Sequence, residues 1–109
     1  MSENIPTVTV DEIPDDAEIL DVREDYEWEE GHIDGAQHLP LGDLPARYGE
    51  VPLDVDVYVI CRSGGRSARA VEWLNLNGFD AINVAGGMGA WLDAEKPIIS
   101  ENGQEPQVR

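Results

Sequence analysis

The stretch of sequence that decides the fold is Val57-Tyr58-Val59-Ile60-Cys61-Arg62-Ser63-Gly64-Gly65-Arg66-Ser67. Its first five residues are a short apolar, β-branched run, which is typical of a strand buried on both faces. After Arg66 the apolar positions recur at helical spacing, so the glycine-bearing loop joins a strand to a helix N-terminus. Such a junction offers backbone N–H groups and the positive end of a helix dipole to an anion. We therefore expect Cys61, which ends the strand, to ionise readily and to act as a nucleophile.

On both sides of this junction, short strands alternate with short helices. The predicted strands are an edge strand containing Val8 and Val10, then Ile19 to Val22, a brief strand between Gly35 and Pro40, Val57 to Cys61, and Ala81 to Val84. The predicted helices are Glu24 to Glu30, Leu44 to Tyr48, a helix that follows Arg66 and closes at Asn77-Gly78, and a final short helix with Trp91 and Leu92. This alternation predicts an α/β sandwich with a mostly parallel sheet. Ligands of such sheets sit beyond the strand C-termini, where Cys61 falls.

Three local features refine this pattern. Tyr26 is the expected apolar anchor of the acidic helix after the second strand, and Gly78 is expected to end the long helix in a left-handed conformation. A carboxylate inside a buried strand is costly unless it is paired. We therefore expect Asp21 and the nearby Arg23 to have fixed partners and to support the site from behind.

The charge of the chain is uneven in a way that points to an anionic ligand. The formal net charge is −16, with 23 acidic and 7 basic residues, yet Arg62, Arg66 and Arg69 all lie close to the cysteine. This local positive charge predicts an anionic substrate or intermediate. The acidic remainder argues against nucleic acid and anionic membranes as partners, since phosphate groups would be repelled. A surface this rich in Asp and Glu also resembles proteins that stay soluble in very salty cytoplasm.

Length and cysteine count give further limits. A chain of 109 residues is long enough for one domain with a single core. One cysteine cannot form an intrachain disulfide, and no apolar run reaches membrane-spanning length. The start at Met1 lacks the basic and apolar regions of a signal peptide. These features predict a reduced, cytoplasmic protein.

Four motifs in fixed order carry a resemblance to a known family. They are Leu20-Asp21-Val22-Arg23-Glu24, Gly31-His32-Ile33-x-Gly35-Ala36-x-His38-x-Pro40, Cys61-Arg62-Ser63-Gly64-Gly65-Arg66-Ser67, and Gly86-Gly87-Met88-x-Ala90-Trp91. Together they resemble the single-domain rhodanese family of sulfurtransferases. The resemblance covers roughly residues 7–98, so residues 1–6 are expected to form a flexible lead and 99–109 a flexible tail. Glu95 stands where the family usually has a glycine.

The resemblance implies both a fold and a reaction. The implied fold is a three-layer sandwich with a mostly parallel sheet of about five strands, flanked by helices. Cys61 is implied to carry sulfur as a persulfide, taken from thiosulfate or another sulfane-sulfur donor. Cyanide or a thiol, including a protein thiol, would accept that sulfur. No metal and no cofactor are expected.

The loop chemistry is consistent with that reaction. The residues expected to bind substrate are Arg62, Ser63, Gly64, Gly65, Arg66, Ser67 and Arg69. The loop amides can converge on the terminal sulfur, and the two glycines permit torsions that other residues resist. The arginine charges would hold the sulfonate group of the donor. Arg69 has an alternative role on the helix surface, as a partner of Glu72 three positions on.

The remaining polar residues of these motifs have simpler interpretations. Ser63 and Ser67 are expected to donate hydrogen bonds or to cap the helix. His32 and His38 are expected to make structural hydrogen bonds, because the chain lacks metal-ligand spacing around its single cysteine. The Gly86-Gly87-x-Gly89 sequence is interpreted as a turn before the Trp91 helix.

Of two other functions considered, the sequence disfavours one and leaves the other open. Phosphatase or arsenate-reductase chemistry on this fold needs an arginine six positions after the cysteine, whereas Arg66 lies five positions after Cys61 and Ser67 takes the sixth. The loop is therefore one residue short for a tetrahedral oxyanion. A non-enzymatic sulfur-relay or redox-sensing module, which receives a persulfide from one protein and passes it to another, is the other alternative.

Overall fold

The computed structural model of the protein describes residues 5–108. Its centre is a five-stranded sheet in which every ladder is parallel. The strands are β1 (Thr7–Val8), β2 (Glu18–Asp21), β3 (Gln37–His38), β4 (Asp56–Ile60) and β5 (Asp80–Val84). They are arranged in the order β1-β5-β4-β2-β3, so the strand that leads to Cys61 is central. The predicted α/β fold with about five parallel strands is confirmed.

Helices cover both faces of the sheet. They are α1 (Asp25–Glu30), α2 (Leu44–Arg47), α3 (Gly65–Leu76) and α4 (Gly87–Asp93). Short 3₁₀ turns lie at Val10–Glu12, Leu41–Asp43 and Tyr48–Glu50.

The side chains of β4 alternate between two apolar layers. Val59 and Cys61 lie in the layer that includes Leu74 of α3. Tyr58 and Ile60 lie in the opposite layer, which includes Met88 and Trp91 of α4. Burial of both faces explains why this strand has no charged residue after Asp56.

The end of α3 confirms the expected glycine cap. Gly78 has a φ of +90°, and the amide of Phe79 donates to the carbonyl of Leu74 at 3.1 Å. Phe79 is buried in the layer beneath α3. This closure fixes where β5 begins, and β5 pairs directly with β4.

Two predicted strand ends are corrected. Strand β1 ends at Val8, because the Glu12 carboxylate accepts a 2.8 Å hydrogen bond from the Thr9 amide and closes a 3₁₀ turn over the next residues. Strand β4 ends at Ile60, so Cys61 is the first residue of the loop.

The prediction that Tyr26 anchors α1 is wrong. Its side chain is 59% exposed, whereas Glu27 is only 4% exposed. Glu27 instead points inward and pairs with Arg66 of the nucleophile loop, and Trp28 of the same helix stacks on His32 and His38.

The C-terminal segment runs back along α1. The amide of Glu101 donates to the carbonyl of Glu29, and that of Gln107 to the carbonyl of Glu30. Ile99 exchanges two 2.8 Å backbone hydrogen bonds with His32 in an isolated antiparallel bridge. The flexibility expected for this tail stays a prediction. Residues 1–4 of the predicted lead and Arg109 of the tail lie outside the described residues.

Candidate active site

The nucleophile loop, residues 61–67, leaves the C-terminal end of β4 and opens α3. Gly64 has a φ of +113° and turns the chain into the helix, a conformation that residues with a Cβ resist. This turn directs the Gly64 amide at Sγ of Cys61, at 3.1 Å. The Ser67 hydroxyl oxygen lies 3.4 Å from the same sulfur. Cys61 itself is only 1% exposed.

Two opposing effects set the acidity of this thiol. Burial raises the pKa of Cys61, because it penalises the charged thiolate. Hydrogen bonds from the Ser67 hydroxyl, and from the amides of Ser67, Gly64 and Ser63, favour the thiolate. The hydrogen bonds prevail and hold the pKa below the ordinary value of a thiol. The loop therefore provides the anion-stabilising environment that the sequence predicts.

The start of α4 holds the loop from the other side. The amide of Met88 donates to the carbonyl of Cys61 at 2.8 Å, and that of Gly89 to the carbonyl of Arg62 at 3.1 Å. An added Cβ at Gly87 would lie 2.3 Å from the carbonyl oxygen of Cys61. In a trans peptide the N–H points away from the C=O. Because the carbonyls of Cys61 and Arg62 face α4, the amides of Arg62 and Ser63 point away from that helix. The glycine-rich turn before Trp91 thus fixes the loop.

Arg66 forms a two-point ion pair with Glu27 of α1. Its guanidinium nitrogens lie 2.6 and 2.9 Å from the two carboxylate oxygens. The hydrogen bond from Arg66 lowers the pKa of Glu27 despite its burial, and the hydrogen bond to Glu27 raises the pKa of Arg66. The field of the Cys61 thiolate adds to the rise at Arg66. Arg66 is therefore held in place at the loop, and the Glu27 carboxylate offsets its charge.

The buried pair behind the site matches the expectation for Asp21 and Arg23. Arg23 Nε and Nη2 contact the two Asp21 oxygens at 2.8–3.1 Å, and Nη2 also donates to the carbonyl of Gly31 at 2.7 Å. Both side chains are fully buried. The neighbouring amide of Val22 donates to the carbonyl of Ile60, the last residue before Cys61. The expectation that both residues have fixed partners is confirmed; their role in supporting the site stays a prediction.

Ser67 reaches a residue that the sequence analysis did not single out. Its hydroxyl donates to Oδ1 of Asn83 on β5 at 2.6 Å. The amide nitrogen of Asn83 faces the carbonyl of Gly64 at 3.5 Å. Asn83 thus contacts both ends of the turn that surrounds the Cys61 sulfur.

The other predicted substrate-binding residues are placed differently. Arg62 is exposed, and its guanidinium lies against Gly89 of α4. Arg69 lines a groove on the surface of α3 with Leu44 and Trp73. Within the described part of the chain, the residues that line this groove include none from the nucleophile loop. Substrate contact stays a prediction for Arg69 and for every loop residue from Arg62 to Ser67.

Both histidines make structural hydrogen bonds, as expected. His32 Nδ1 donates to the carbonyl of Trp28 at 2.8 Å, and His38 Nε2 donates to the carbonyl of Arg23 at 2.9 Å. Both rings stack on the Trp28 indole, with centroids 3.5 and 4.7 Å away. Among residues 5–108 no group of three or more His, Cys, Asp or Glu side chains could hold a metal ion. In the same residues no helix is long and apolar enough to span a membrane.

Sequence reasoning missed two residues that contact the loop. Asn83 lies between apolar neighbours in a buried strand, which is the same signal that drew attention to Asp21. Glu27 lies within the acidic segment from Glu24 to Glu30, and it is 39 positions from Arg66. No local pattern distinguishes it from the carboxylates beside it.

The chain is similar to a known protein family, to named proteins and to solved structures. The family model for the rhodanese-like domain matches residues 7–94. YtwF of Bacillus subtilis, provisionally named a sulfurtransferase, is 43% identical over 79 residues, or 72% of this chain and 77% of YtwF. YrkF of the same organism, provisionally named a sulfur carrier protein, is 45% identical over 74 residues, which are 67% of this chain and 40% of YrkF. A rhodanese-like domain protein from Staphylococcus aureus superimposes with a TM-score of 0.76 at 33% identity, covering 94% and 99% of the two chains.

The fold is a parallel α/β sheet, and a buried cysteine follows its central strand. The loop around that cysteine stabilises a negative charge on sulfur. The chain belongs to the rhodanese-like domain family. The family and the names of its relatives support sulfur transfer in general terms.

Proposed function

We propose that this protein is a thiosulfate sulfurtransferase that moves a sulfane sulfur through a persulfide on Cys61. The observation that carries the proposal is the environment of Sγ, which accepts the Gly64 amide at 3.1 Å and lies 3.4 Å from the Ser67 hydroxyl. Hydrogen-bond donors of this kind stabilise a thiolate before the reaction and an anionic terminal sulfur after it.

The first half of the reaction loads the cysteine. The Cys61 thiolate attacks the outer sulfur of thiosulfate, a new S–S bond forms, and the bond to the sulfonate sulfur breaks with loss of sulfite. The negative charge then lies on the terminal persulfide sulfur, where loop amides can stabilise it. Glu27 holds Arg66 in place, and the N–H groups of Arg66 that do not face Glu27 can donate to the sulfonate oxygens of the donor.

The second half returns the free enzyme. Cyanide or a thiolate attacks the terminal sulfur, the persulfide S–S bond breaks, and Cys61 leaves as a thiolate. Cyanide becomes thiocyanate, and a thiolate becomes a persulfide. The low pKa of Cys61 makes it a good leaving group in this step.

The decisive experiment is intact mass spectrometry of the reduced protein before and after thiosulfate, followed by cyanide with detection of thiocyanate. We expect the mass to rise by one sulfur atom and to return on addition of cyanide. Cys61→Ser, which lacks the only cysteine in the chain, should gain no sulfur. A persulfide-sized gain in that variant would refute the assignment to Cys61. No gain in the folded, reduced protein would refute thiosulfate as the donor.

A sulfur-relay module is the second candidate, and the match to a protein provisionally named a sulfur carrier favours it. A relay would exchange sulfur slowly with free thiosulfate but rapidly with a persulfide on a partner protein. Redox sensing at the same cysteine belongs to this class. Comparing loading rates from thiosulfate and from a protein persulfide distinguishes a relay from the proposed enzyme.

A further inference from the structure

The hydroxyl of Ser67 has one proton and two neighbours that could accept it. Oδ1 of Asn83 lies 2.6 Å from the hydroxyl oxygen, and Sγ of Cys61 lies 3.4 Å away. A carbonyl oxygen can only accept, so the short contact commits the Ser67 proton to Asn83. While the thiol is protonated, its S–H can donate to the Ser67 oxygen, and every group in the chain Cys61–Ser67–Asn83 is satisfied.

The other contact of the Asn83 amide favours the same orientation. Its nitrogen faces the carbonyl of Gly64 at 3.5 Å. The reversed orientation would place the Asn83 and Gly64 carbonyl oxygens against each other. It would also leave the Ser67 hydroxyl only the more distant Cys61 sulfur as an acceptor. Asn83 is 7% exposed and Ser67 is fully buried, so water does not easily replace either partner.

We propose that Asn83 is a positioning residue that competes with the Cys61 sulfur for the proton of the Ser67 hydroxyl. Only the use of this competition during sulfur transfer rests on the proposed function. The competition itself is a property of the protein before any sulfur donor is added. When Cys61 ionises, its proton leaves to solvent, and the hydroxyl must rotate from Asn83 towards Sγ to stabilise the thiolate. Asn83 therefore opposes the thiolate and keeps Ser67 directed away from the sulfur until negative charge develops there.

The same competition would act late in the sulfur-transfer cycle. In the persulfide the charge lies on the terminal sulfur, and Sγ is a neutral bridging atom. Ser67 can then remain on Asn83. As the acceptor removes the terminal sulfur, charge returns to Sγ and the hydroxyl turns back to it. Asn83 thus determines when the Ser67 hydroxyl stabilises the leaving thiolate.

The single cysteine allows a direct test, because the rate of alkylation of Cys61 against pH gives its thiol pKa without any sulfur donor. Asn83→Leu keeps the shape but removes the competing acceptor. We expect the thiol pKa to fall by about 0.5–1 unit, which raises the thiolate fraction below the pKa about 3–10-fold. Ser67→Ala should raise the pKa, and adding Asn83→Leu to Ser67→Ala should change it no further. A purely structural Asn83 would predict a higher or unchanged pKa in Asn83→Leu.

A second variant covers the case in which Asn83→Leu does not fold. Asn83→Asp keeps the size and holds the Ser67 proton more strongly, so the thiol pKa should rise. Part of that rise would come from the negative charge of the new carboxylate, which disfavours the Cys61 thiolate. The charges of Arg66 and Glu27 also act on Cys61 and are the same in all these variants. Repeating the change in the Ser67→Ala background subtracts this part. An equal rise in both backgrounds would refute the competition.

The matched control is Asn75 on α3, a carboxamide that also joins α3 to β5. It accepts from the amide of Ala81 at 2.8 Å and donates to its carbonyl at 3.0 Å. Asn75→Leu should destabilise the fold without moving the Cys61 pKa. A shift of the same size and sign as in Asn83→Leu would show that any loosening of β5 alters the thiol, and would overturn the proposal. Because thiosulfate is absent from these measurements, failure here is distinct from failure of the proposed enzyme activity.

Discussion

At the scale of single residues, the clearest departure from local preference is Glu95. Its φ is +60°, in the left-handed region that favours glycine, and its amide donates to the carbonyl of Leu92 as α4 ends. The chain therefore makes a left-handed turn at a residue other than glycine, the residue best suited to it.

Replacing Glu95 by glycine should therefore stabilise the fold. We expect Glu95→Gly to exceed Glu95→Ala in free energy of unfolding by about 1 kcal/mol, because alanine loses the same side chain but keeps the left-handed strain. Urea unfolding of both variants and the parent measures the difference. Equal stability of the two variants would mean that this turn relaxes without a glycine.

At the scale of elements, the site depends on how α1 and α4 hold the nucleophile loop. The α4 contact is the tighter of the two, since Gly87 approaches the Cys61 carbonyl so closely that a methyl group does not fit. The α1 contact is electrostatic and joins Glu27 to Arg66. Weakening either contact should therefore affect both the stability of the fold and the position of the loop.

Gly87→Ala should displace α4 from the loop. Gly35→Ala is the matched control, since both glycines have positive φ (+56° and +87°) but an added Cβ at Gly35 has nothing within 4 Å. We expect Gly87→Ala to cost about 1–3 kcal/mol more in free energy of unfolding, from the added crowding. Sulfur loading should also slow in Gly87→Ala alone. Matching losses of stability in the two variants would show that the close approach is not limiting.

The Arg66–Glu27 pair should couple stability to pH. Because the pKa of Glu27 is lower in the folded state, its contribution to stability is present above the unfolded pKa and is lost as pH falls through the folded value. A double-mutant cycle with Glu27→Gln and Arg66→Gln should give a coupling of about 1–2 kcal/mol near neutral pH. That coupling should decline as the medium is acidified below about pH 4.

The exposed pair Arg47–Glu50 supplies the control for this cycle. Its nitrogen and oxygen atoms lie at a similar distance, 2.9 Å, but both side chains are about half exposed. Solvent screens such pairs, so its coupling should be clearly weaker. A coupling at Arg47–Glu50 as large as at Arg66–Glu27 would show that burial of Glu27 adds nothing.

At the scale of the whole molecule, the dominant feature is the net charge of −16. Mutual repulsion of this magnitude opposes a compact state, and salt screens it. Raising KCl from about 0.1 M to about 1 M shortens the screening length from about 10 Å to about 3 Å, so the free energy of unfolding should rise. Screening predicts that most of the gain comes at the low end of this range. A gain that grows linearly to high salt would instead indicate a general effect of salt on apolar burial.

The sequence by itself determined the strand, loop and helix around Cys61 and their place in a parallel α/β sheet. These features depend on hydrophobic periodicity and on glycines at turns, which act between residues close together in the chain. It also determined that Asp21 needs a partner, because a carboxylate in a buried strand is costly and its arginine is two positions away. The same argument applied to Asn83 would have located it, although not its partner.

Only the tertiary structure decided which distant groups meet at the loop. Glu27 and Arg66 are 39 positions apart, and Ser67 and Asn83 are 16 apart, so their contacts depend on the strand order and on the rotation of α1. Hydrophobicity favoured Tyr26 as the inward residue of α1, but the side chain that points inward is Glu27, which pairs with Arg66. Hydrophobic periodicity shows which face of a helix or strand is apolar. It does not show which charged residue of that element forms an ion pair, because the partner comes from another element that packs against it.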